Sequence, residues 1–179
     1  MPTTKDRALR AAVEEVGDHG IRALTHARVD ARAGLPMGST SNWFRTRSAL
    51  VEGVVAHLAD EERAMAPAGD VVTAADLVDL LTAMVERASG PDAARTRVRL
   101  ALSLEVAHSP QLRAPLQAQR AAFVAWAAGL LADVGAPQPT QAARTLLACG
   151  NGLIFHRLTV EPDAEVRPVI ERAVRACLS

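Results

Sequence analysis

Apolar residues recur along nearly the whole chain at the three- and four-residue spacing that places them on one face of an α-helix. Leu9, Val13 and Val16 show this spacing near the beginning of the sequence. Alternation of apolar and polar residues, which is typical of β-strands, does not extend over any useful length. Gly, Pro and Ser residues break the helical pattern into about nine segments. The sequence therefore predicts an all-α protein of about nine helices.

The clearest break in this pattern is formed by Pro67, Gly69 and Asp70. We expect a three-helix unit over residues 1–48, which the fourth helix joins to a larger helical bundle over residues 49–179. The predicted helices cover roughly residues 5–19, 26–33, 36–44, 48–65, 73–88, 92–108, 110–134, 140–160 and 163–178.

The charge of the chain is balanced as a whole but uneven along its length. The 20 Lys and Arg residues equal the 20 Asp and Glu residues in number. Between residues 22 and 47, however, five arginines face a single acid, Asp30, which gives this segment a formal charge of about +4. Such a segment suits an anionic partner such as a phosphate backbone, although most surface charge runs serve only solvation.

Two cysteines, Cys149 and Cys177, lie in otherwise apolar helical stretches. We interpret them as small core residues in a reducing cytosol and not as a disulfide framework. The first residues carry acids and lack the apolar core of a signal peptide. No apolar run approaches the roughly 18 residues that a membrane-spanning helix requires. We therefore expect a cytoplasmic protein without membrane contact.

The stretch from Leu24 to Phe44 has the features of a helix-turn-helix. A short helix follows Thr25, a good capping residue, and stops at Gly34, which can adopt a positive φ. Leu35 fills the space between the two helices. Pro36 is expected to begin the next helix, where a missing N–H costs little. That helix opens with small polar residues, so it is slim enough to enter a major groove. A simple pair of antiparallel helices can use the same turn.

The run from Gly34 to Leu50 resembles the second half of the DNA-binding domain of the TetR family of transcriptional regulators. It has the glycine turn, a recognition helix that opens with Gly38 and a hydroxyl residue, an aromatic ending and then a basic residue, Arg47. The motif covers about the first 55 residues, and the remainder matches in helix layout alone. The resemblance implies a homodimer that binds double-stranded operator DNA and a small-molecule effector. It further implies a repressor that the effector releases from the operator.

The resemblance also implies which residues contact DNA. The residues expected to face the groove are Met37, Gly38, Ser39 and Asn42. Those expected to hold phosphates or the rim of the site are Thr25, Arg28, Trp43 and Arg47. Thr40 and Phe44 are expected to pack inside the three-helix unit. The alternatives are that Ser39 is a simple helix-start hydroxyl and that Arg47 is a solvated surface charge.

Two positions depart from the pattern of the family. Ser41 stands where the recognition helix usually carries a tyrosine, so one common phosphate contact is shortened or lost. Asp30 stands four residues before the turn glycine, where a small alanine is usual. We hypothesise that its carboxylate accepts hydrogen bonds from hydroxyl or N–H groups at the start of the recognition helix.

The C-terminal bundle is implied by the resemblance to bind the effector. Glu105 lies on an apolar helix stripe, and a buried carboxylate needs a partner, so it either pairs with an arginine or lines a ligand pocket. The other candidate pocket residues are Met84, His108, Phe123, Trp126, Asn151 and Phe155, with His156 as a further bulky neighbour. For the bulky side chains, ordinary core packing is the alternative.

The last two helices are implied to form the dimer interface. The helix over residues 140–160 is apolar nearly all round, which favours burial against both the bundle and a partner chain. The interface residues that we expect are Ala148, Gly152, Val166, Ile170, Ala173 and Val174. The alternative is that these helices complete the core of a monomer.

An enzyme or a metal-binding helical bundle is the rival class of protein. The sequence lacks a phosphate-binding glycine loop, a nucleophile elbow and cysteine pairs at zinc spacing. Glu105 and His108 have the spacing found in carboxylate-bridged metal bundles, but such sites need this motif twice and two more carboxylates. We therefore expect no catalytic residue, no metal and no cofactor. A helical dimerisation module that has lost DNA binding is a second rival.

Overall fold

The computed structural model describes residues 3–64, 71–107 and 110–179, and over these residues the chain is all helical, as predicted. Met65, the last apolar position expected for the fourth helix, and His108 lie outside the described residues. The described part holds nine α-helices and one short 3₁₀ turn, Ile21–Ala23. The helices are α1 (Thr4–His19), α2 (His26–Ala33), α3 (Ser39–Trp43), α4 (Arg47–Ala64), α5 (Ala74–Ser89), α6 (Ala93–Ala107), α7 (Pro110–Asp133), α8 (Pro139–Thr159) and α9 (Arg167–Leu178).

Two helices begin with reciprocal hydrogen bonds between a threonine and an aspartate. The Thr3 hydroxyl accepts from the Asp6 N–H at 3.2 Å, and the Asp6 carboxylate accepts from the Thr3 N–H at 2.9 Å. Thr73 and Asp76 repeat this arrangement at the start of α5. These bonds satisfy N–H groups that have no partner within the helix. The bonds from the two threonines also hold the pKa of each aspartate below its ordinary value.

The first of two compact units comprises the described residues of 1–66 and 94–116. Its core takes Leu9 and Val16 from α1, Leu50 and Val54 from α4, and Val98 from α6, all of them buried. Burial of each such side chain contributes about 1.5–3 kcal/mol. In this unit α1 packs against α2, α3 and α4, so α1 is the main support of the helix-turn-helix segment. The functional boundary that we expect at residue 48 stays a prediction.

The second unit comprises the described residues of 67–93 and 117–179. In it α5, α8 and α9 pack against one another, and Leu131 at the end of α7 joins their core. Gly135, with a φ of +84°, follows the end of α7. Cys149 and Cys177 are half-buried free thiols, and burial raises the pKa of each. In the part of the chain that the structure describes, no helix combines the length and the apolar character needed to cross a membrane.

Three predicted helix starts are wrong, and the last helix, expected from residue 163, begins at Arg167. The third helix begins at Ser39 and not at Pro36, because Gly38 adopts a φ of +89° and interrupts the helical backbone. Pro36 instead opens a turn in which its carbonyl accepts from the Ser39 N–H at 3.1 Å. The fourth helix, expected from residue 48, begins at Arg47, and the Thr46 hydroxyl accepts from the Ala49 N–H at 3.0 Å.

Candidate nucleic-acid interface

Hydrogen bonds fix both ends of α2, and those at its C-terminal end form the turn that leads to α3. The Thr25 hydroxyl accepts from the Arg28 N–H at 3.4 Å and caps the start of α2, as predicted. At its other end, the N–H of Gly34 bonds the carbonyl of Ala31 at 3.2 Å, and the N–H of Leu35 bonds that of Asp30 at 2.9 Å. This is the pairing expected for a helix that ends in a left-handed glycine, and Gly34 has a φ of +62°.

The Asp30 side chain connects α2 to the start of α3, which confirms the hypothesis made from the sequence. Its carboxylate accepts from the Gly38 N–H at 2.7 Å, from the Thr40 N–H at 2.8 Å and from the Thr40 hydroxyl at 2.5 Å. Burial by itself raises the pKa of Asp30, but the bonds from Thr40 and Gly38 outweigh it and hold the pKa below its ordinary value. The carboxylate is thus ionised at neutral pH and orients the first turn of α3.

The exposed surface of residues 37–43 carries one long apolar side chain, Met37, and several polar groups. Met37 is 93% exposed, and Asn42 and Trp43 are exposed beside it. Ser39 is partly buried. The backbone of Gly38 lies open, with no atom within 4 Å of the place a Cβ would take. These groups form one surface that a neighbouring molecule can reach.

Thr40 and Phe44 face inward, as predicted. The Phe44 ring lies so close to Gly53 of α4 that a Cβ added there would meet Cε1 at 2.3 Å. The carbonyl of Phe44 also lies 2.6 Å from Nε2 of His26, the first residue of α2. Sequence reasoning missed His26 and Gly53, because the signal for each is its distant partner.

The Arg28 side chain forms an ion pair with a buried acid, Glu15, which was not predicted from the sequence. The Glu15 side chain of α1 is only 4% exposed; it accepts a hydrogen bond from the Nε of Arg28 and forms an ion pair with the Nε of Arg32 at 2.9 Å. Arg32 reaches Asp18 as well, at 2.7 Å. The remaining N–H groups of Arg28 stay available, since its side chain is half exposed. Glu15 therefore positions the two guanidinium groups of α2.

Arg47 has two partners within the first unit. Its Nη1 lies 2.9 Å from a carboxylate oxygen of Glu105, and its Nη2 donates to the carbonyl of Ile21 at 3.0 Å. Glu105 is therefore paired with an arginine, the first of the two alternatives above, and its side chain is 37% exposed and not buried as expected. Among the described residues, no three His, Cys, Asp or Glu side chains group as metal ligands.

The other candidate pocket residues that the structure describes lie in the second unit. Phe123 and Trp126 pack with their ring centroids 5.0 Å apart and the ring planes tilted by 38°. Met84 and Asn151 are half-buried, and Phe155 is 54% exposed. The structure thus brings one aromatic pair together and leaves Phe155 largely open to solvent.

The expected interface residues divide into two groups. Val166, Ile170 and Val174 are buried in the core of their own unit, because the apolar stripe of α9 packs against α5 and α8. Their side chains are therefore not free to contact a partner. Ala173 is half-buried in the same cluster. Ala148 and Gly152 are exposed on α8 and remain available.

A short exposed helix behind a glycine turn, braced from the preceding helix, defines a helix-turn-helix protein. Residues 72–179, more than half of the chain, match the family described as tetracyclin repressor-like, C-terminal domain. The chain belongs to the tetracyclin repressor-like family of transcriptional regulators, as the sequence predicted, and this family is not a class of enzymes.

Solved structures of similar fold cover nearly the whole chain. A transcriptional regulator from Rhodococcus sp. Rha1 is 21% identical, with a TM-score of 0.76, over 98% of this chain and 94% of its own. A TetR-family member from Streptomyces coelicolor A3 is 24% identical, with a TM-score of 0.76, over 99% of both chains. The multidrug binding protein EbrR, complexed with ethidium, is 23% identical, with a TM-score of 0.79, over 99% of both chains. At these identities the likeness shows a shared fold. No curated protein matches the chain.

Proposed function

We propose that the protein is a repressor that binds double-stranded operator DNA as a homodimer and is released by a small-molecule effector. The observation that carries the DNA-binding part is the bracing of α3 by Asp30 behind an exposed polar surface. A recognition element must be held rigidly to select one base sequence, because each base contact depends on the direction of its hydrogen bonds.

The groups on this surface suit the major groove and its flanking phosphates. Asn42 carries an amide that can pair with two atoms of adenine, and the exposed thioether of Met37 suits the methyl group of thymine. The Ser39 hydroxyl and the open backbone at Gly38 complete the face toward the bases. The residues that we propose for phosphate contacts are Thr25, Arg28, Trp43 and Arg47.

A homodimer can place two copies of this surface on one operator. Two recognition helices must meet successive major grooves about 34–36 Å apart, which one chain with one such helix cannot do. The exposed face of α8, with Ala148 and Gly152 between larger side chains, offers a flat surface for a close helix crossing. Val169 of α9 is an exposed apolar side chain that suits the same interface.

The effector is proposed to bind in the C-terminal part of the chain. EbrR, which shares this fold, has been solved with ethidium bound, and this supports ligand binding by such a helical domain. The proposed pocket residues are those of the second unit, Met84, Phe123, Trp126, Asn151 and Phe155. An effector lowers operator affinity only by binding more tightly to the state that does not fit DNA.

Fluorescence anisotropy of the full chain on labelled fragments of its own upstream intergenic DNA tests the proposal. We expect salt-sensitive binding. The Asn42→Ala variant should weaken binding to the operator sequence, whereas Arg47→Ala should weaken binding to all DNA sequences alike. Arg172→Ala, which changes an exposed arginine of α9, is the matched control and should bind like the parent. If the upstream fragments fail, selection from random DNA finds a distant operator. Failure there too would favour a dimerisation module without DNA binding.

A further inference from the structure

The second unit carries an open groove of about 420 Å³ between α7 and the beginning of α8. This volume falls within the range of about 300–1,000 Å³ that small-molecule sites occupy. The residues that line it are Gln117, Arg120, Ala121, Val124, Ala125, Thr140 and Arg144. None of them is among the pocket residues discussed above.

The two arginines of the groove lack partners among the residues that the structure describes. Arg120 projects from α7 and Arg144 from α8, and both are exposed. Two arginines of the same unit, by contrast, are engaged: Arg87 bonds Asp92 at 2.7 Å, and Arg167 bonds Asp79 at 2.7 Å. No described lining residue is acidic, so the two guanidinium groups are the charged groups among the described lining residues.

The beginning of α8 adds to this positive potential. Its capping residue, Gln138, makes no side-chain hydrogen bond to the helix, and Thr140 of the first turn lines the groove. The first N–H groups of a helix have no partners within it and favour an anion nearby. The helix end and the two guanidinium groups therefore attract the same kind of ligand.

Ala121, Val124 and Ala125 give the groove an apolar floor. We propose that this groove binds a small organic anion, with an oxyanion group held between Arg120 and Arg144 and an apolar tail on that floor. A guanidinium binds carboxylate, sulfonate or phosphate oxygens through paired N–H groups, so the head of the ligand can be any of these. The role of this ligand as an effector rests on the proposed function, whereas its binding does not.

Titration calorimetry of the full chain with sodium octanoate, naphthalene-1-sulfonate and phenyl phosphate tests the binding. We expect at least one of these anions to bind, and Arg120→Gln and Arg144→Gln each to weaken it about tenfold or more. Arg172→Gln should leave the affinity unchanged, and circular dichroism melts should show that all three variants fold. The neutral 1-octanol should bind more weakly than octanoate by a similar factor.

Three results would overturn the proposal: no binding of any anion at millimolar concentration, an affinity in both groove variants equal to that of the parent, or octanol binding as tightly as octanoate. A dimer that dissociates in Arg120→Glu or Arg144→Glu, without anion binding by the parent, would also overturn it and assign the groove to a second copy.

Anisotropy on DNA separates this proposal from the proposed function. Anion binding by a chain that binds no DNA would support the site and overturn the proposed function.

Discussion

The carboxylate of Asp30 in α2 accepts hydrogen bonds from both the backbone N–H and the hydroxyl of Thr40 in α3, at 2.8 and 2.5 Å. Both residues are buried, so these bonds form away from competing water. The same carboxylate holds the Gly38 N–H, which lies before the first residue of α3. A helix of only five residues cannot fix its own direction, and Asp30 supplies that constraint from outside it.

Replacing Asp30 by alanine should therefore affect both stability and DNA binding. The substitution leaves the buried N–H and hydroxyl of Thr40, and the N–H of Gly38, without this acceptor, which costs about 2–3 kcal/mol of the free energy of unfolding. We expect operator affinity to fall more than about tenfold because the start of α3 is released. Urea denaturation and DNA anisotropy measure the two effects, with the exposed Asp163→Ala as control. A variant that melts and binds like the parent would remove Asp30 from the interface.

The same carboxylate should make stability depend on pH in the acid range. Since its pKa is lower in the folded chain than in the unfolded one, Asp30 contributes stability that is fully present above about pH 4. That contribution is lost as the pH falls through the lowered pKa. We expect the difference in unfolding free energy between the parent and Asp30→Asn to shrink below about pH 4. A difference that stays constant from neutral to acid pH would show that the charge of Asp30 contributes nothing.

The parts of the helix-turn-helix that the sequence predicts correctly depend on near neighbours in the chain. Thr25 caps α2 and Gly34 ends it because a hydroxyl acceptor and a positive φ act within one turn of the backbone. The prediction that the next helix begins at Pro36 is wrong because the positive φ of Gly38 interrupts the helical backbone. Only the family pattern, in which an acid at position 30 is unusual, indicated the bond from Asp30 to α3.

The parts that could not be predicted depend on partners far away in the sequence. Glu15 resembles any polar position of α1 until α2 places Arg28 and Arg32 over it. The apolar stripe that contains Ile170 and Val174 has the same spacing whether it covers its own core or a partner. Helical periodicity reveals which face is buried, and it does not reveal what buries it.

The ion pair between Arg47 and Glu105 should compete with DNA for the guanidinium group. Both side chains are more than a third exposed, so the pair adds at most about 1 kcal/mol to stability. We expect Glu105→Gln to fold normally and to bind operator DNA about two- to tenfold more tightly at low salt, with a steeper dependence on salt. Anisotropy across a salt series measures this, with Glu171→Gln in the second unit as control. Weaker binding by Glu105→Gln would show instead that the carboxylate orients Arg47 toward the phosphate.

The contact between Phe44 and Gly53 should make the residue at position 53 decisive for the end of α3. A methyl group there would lie 2.3 Å from the Phe44 ring, so the ring must move, and overpacking of this kind costs about 1–3 kcal/mol. We expect Gly53→Ala to lower the unfolding free energy by that amount and to weaken operator binding. Gly129→Ala in α7 is the matched control, because its Cβ would meet open space and a helical alanine stabilises by about 0.5–1 kcal/mol. The double variant Gly53→Ala with Phe44→Leu should recover part of the loss, since the smaller side chain makes room for the methyl group. If Gly53→Ala were as stable as Gly129→Ala, Phe44 would be free to move without disturbing α3.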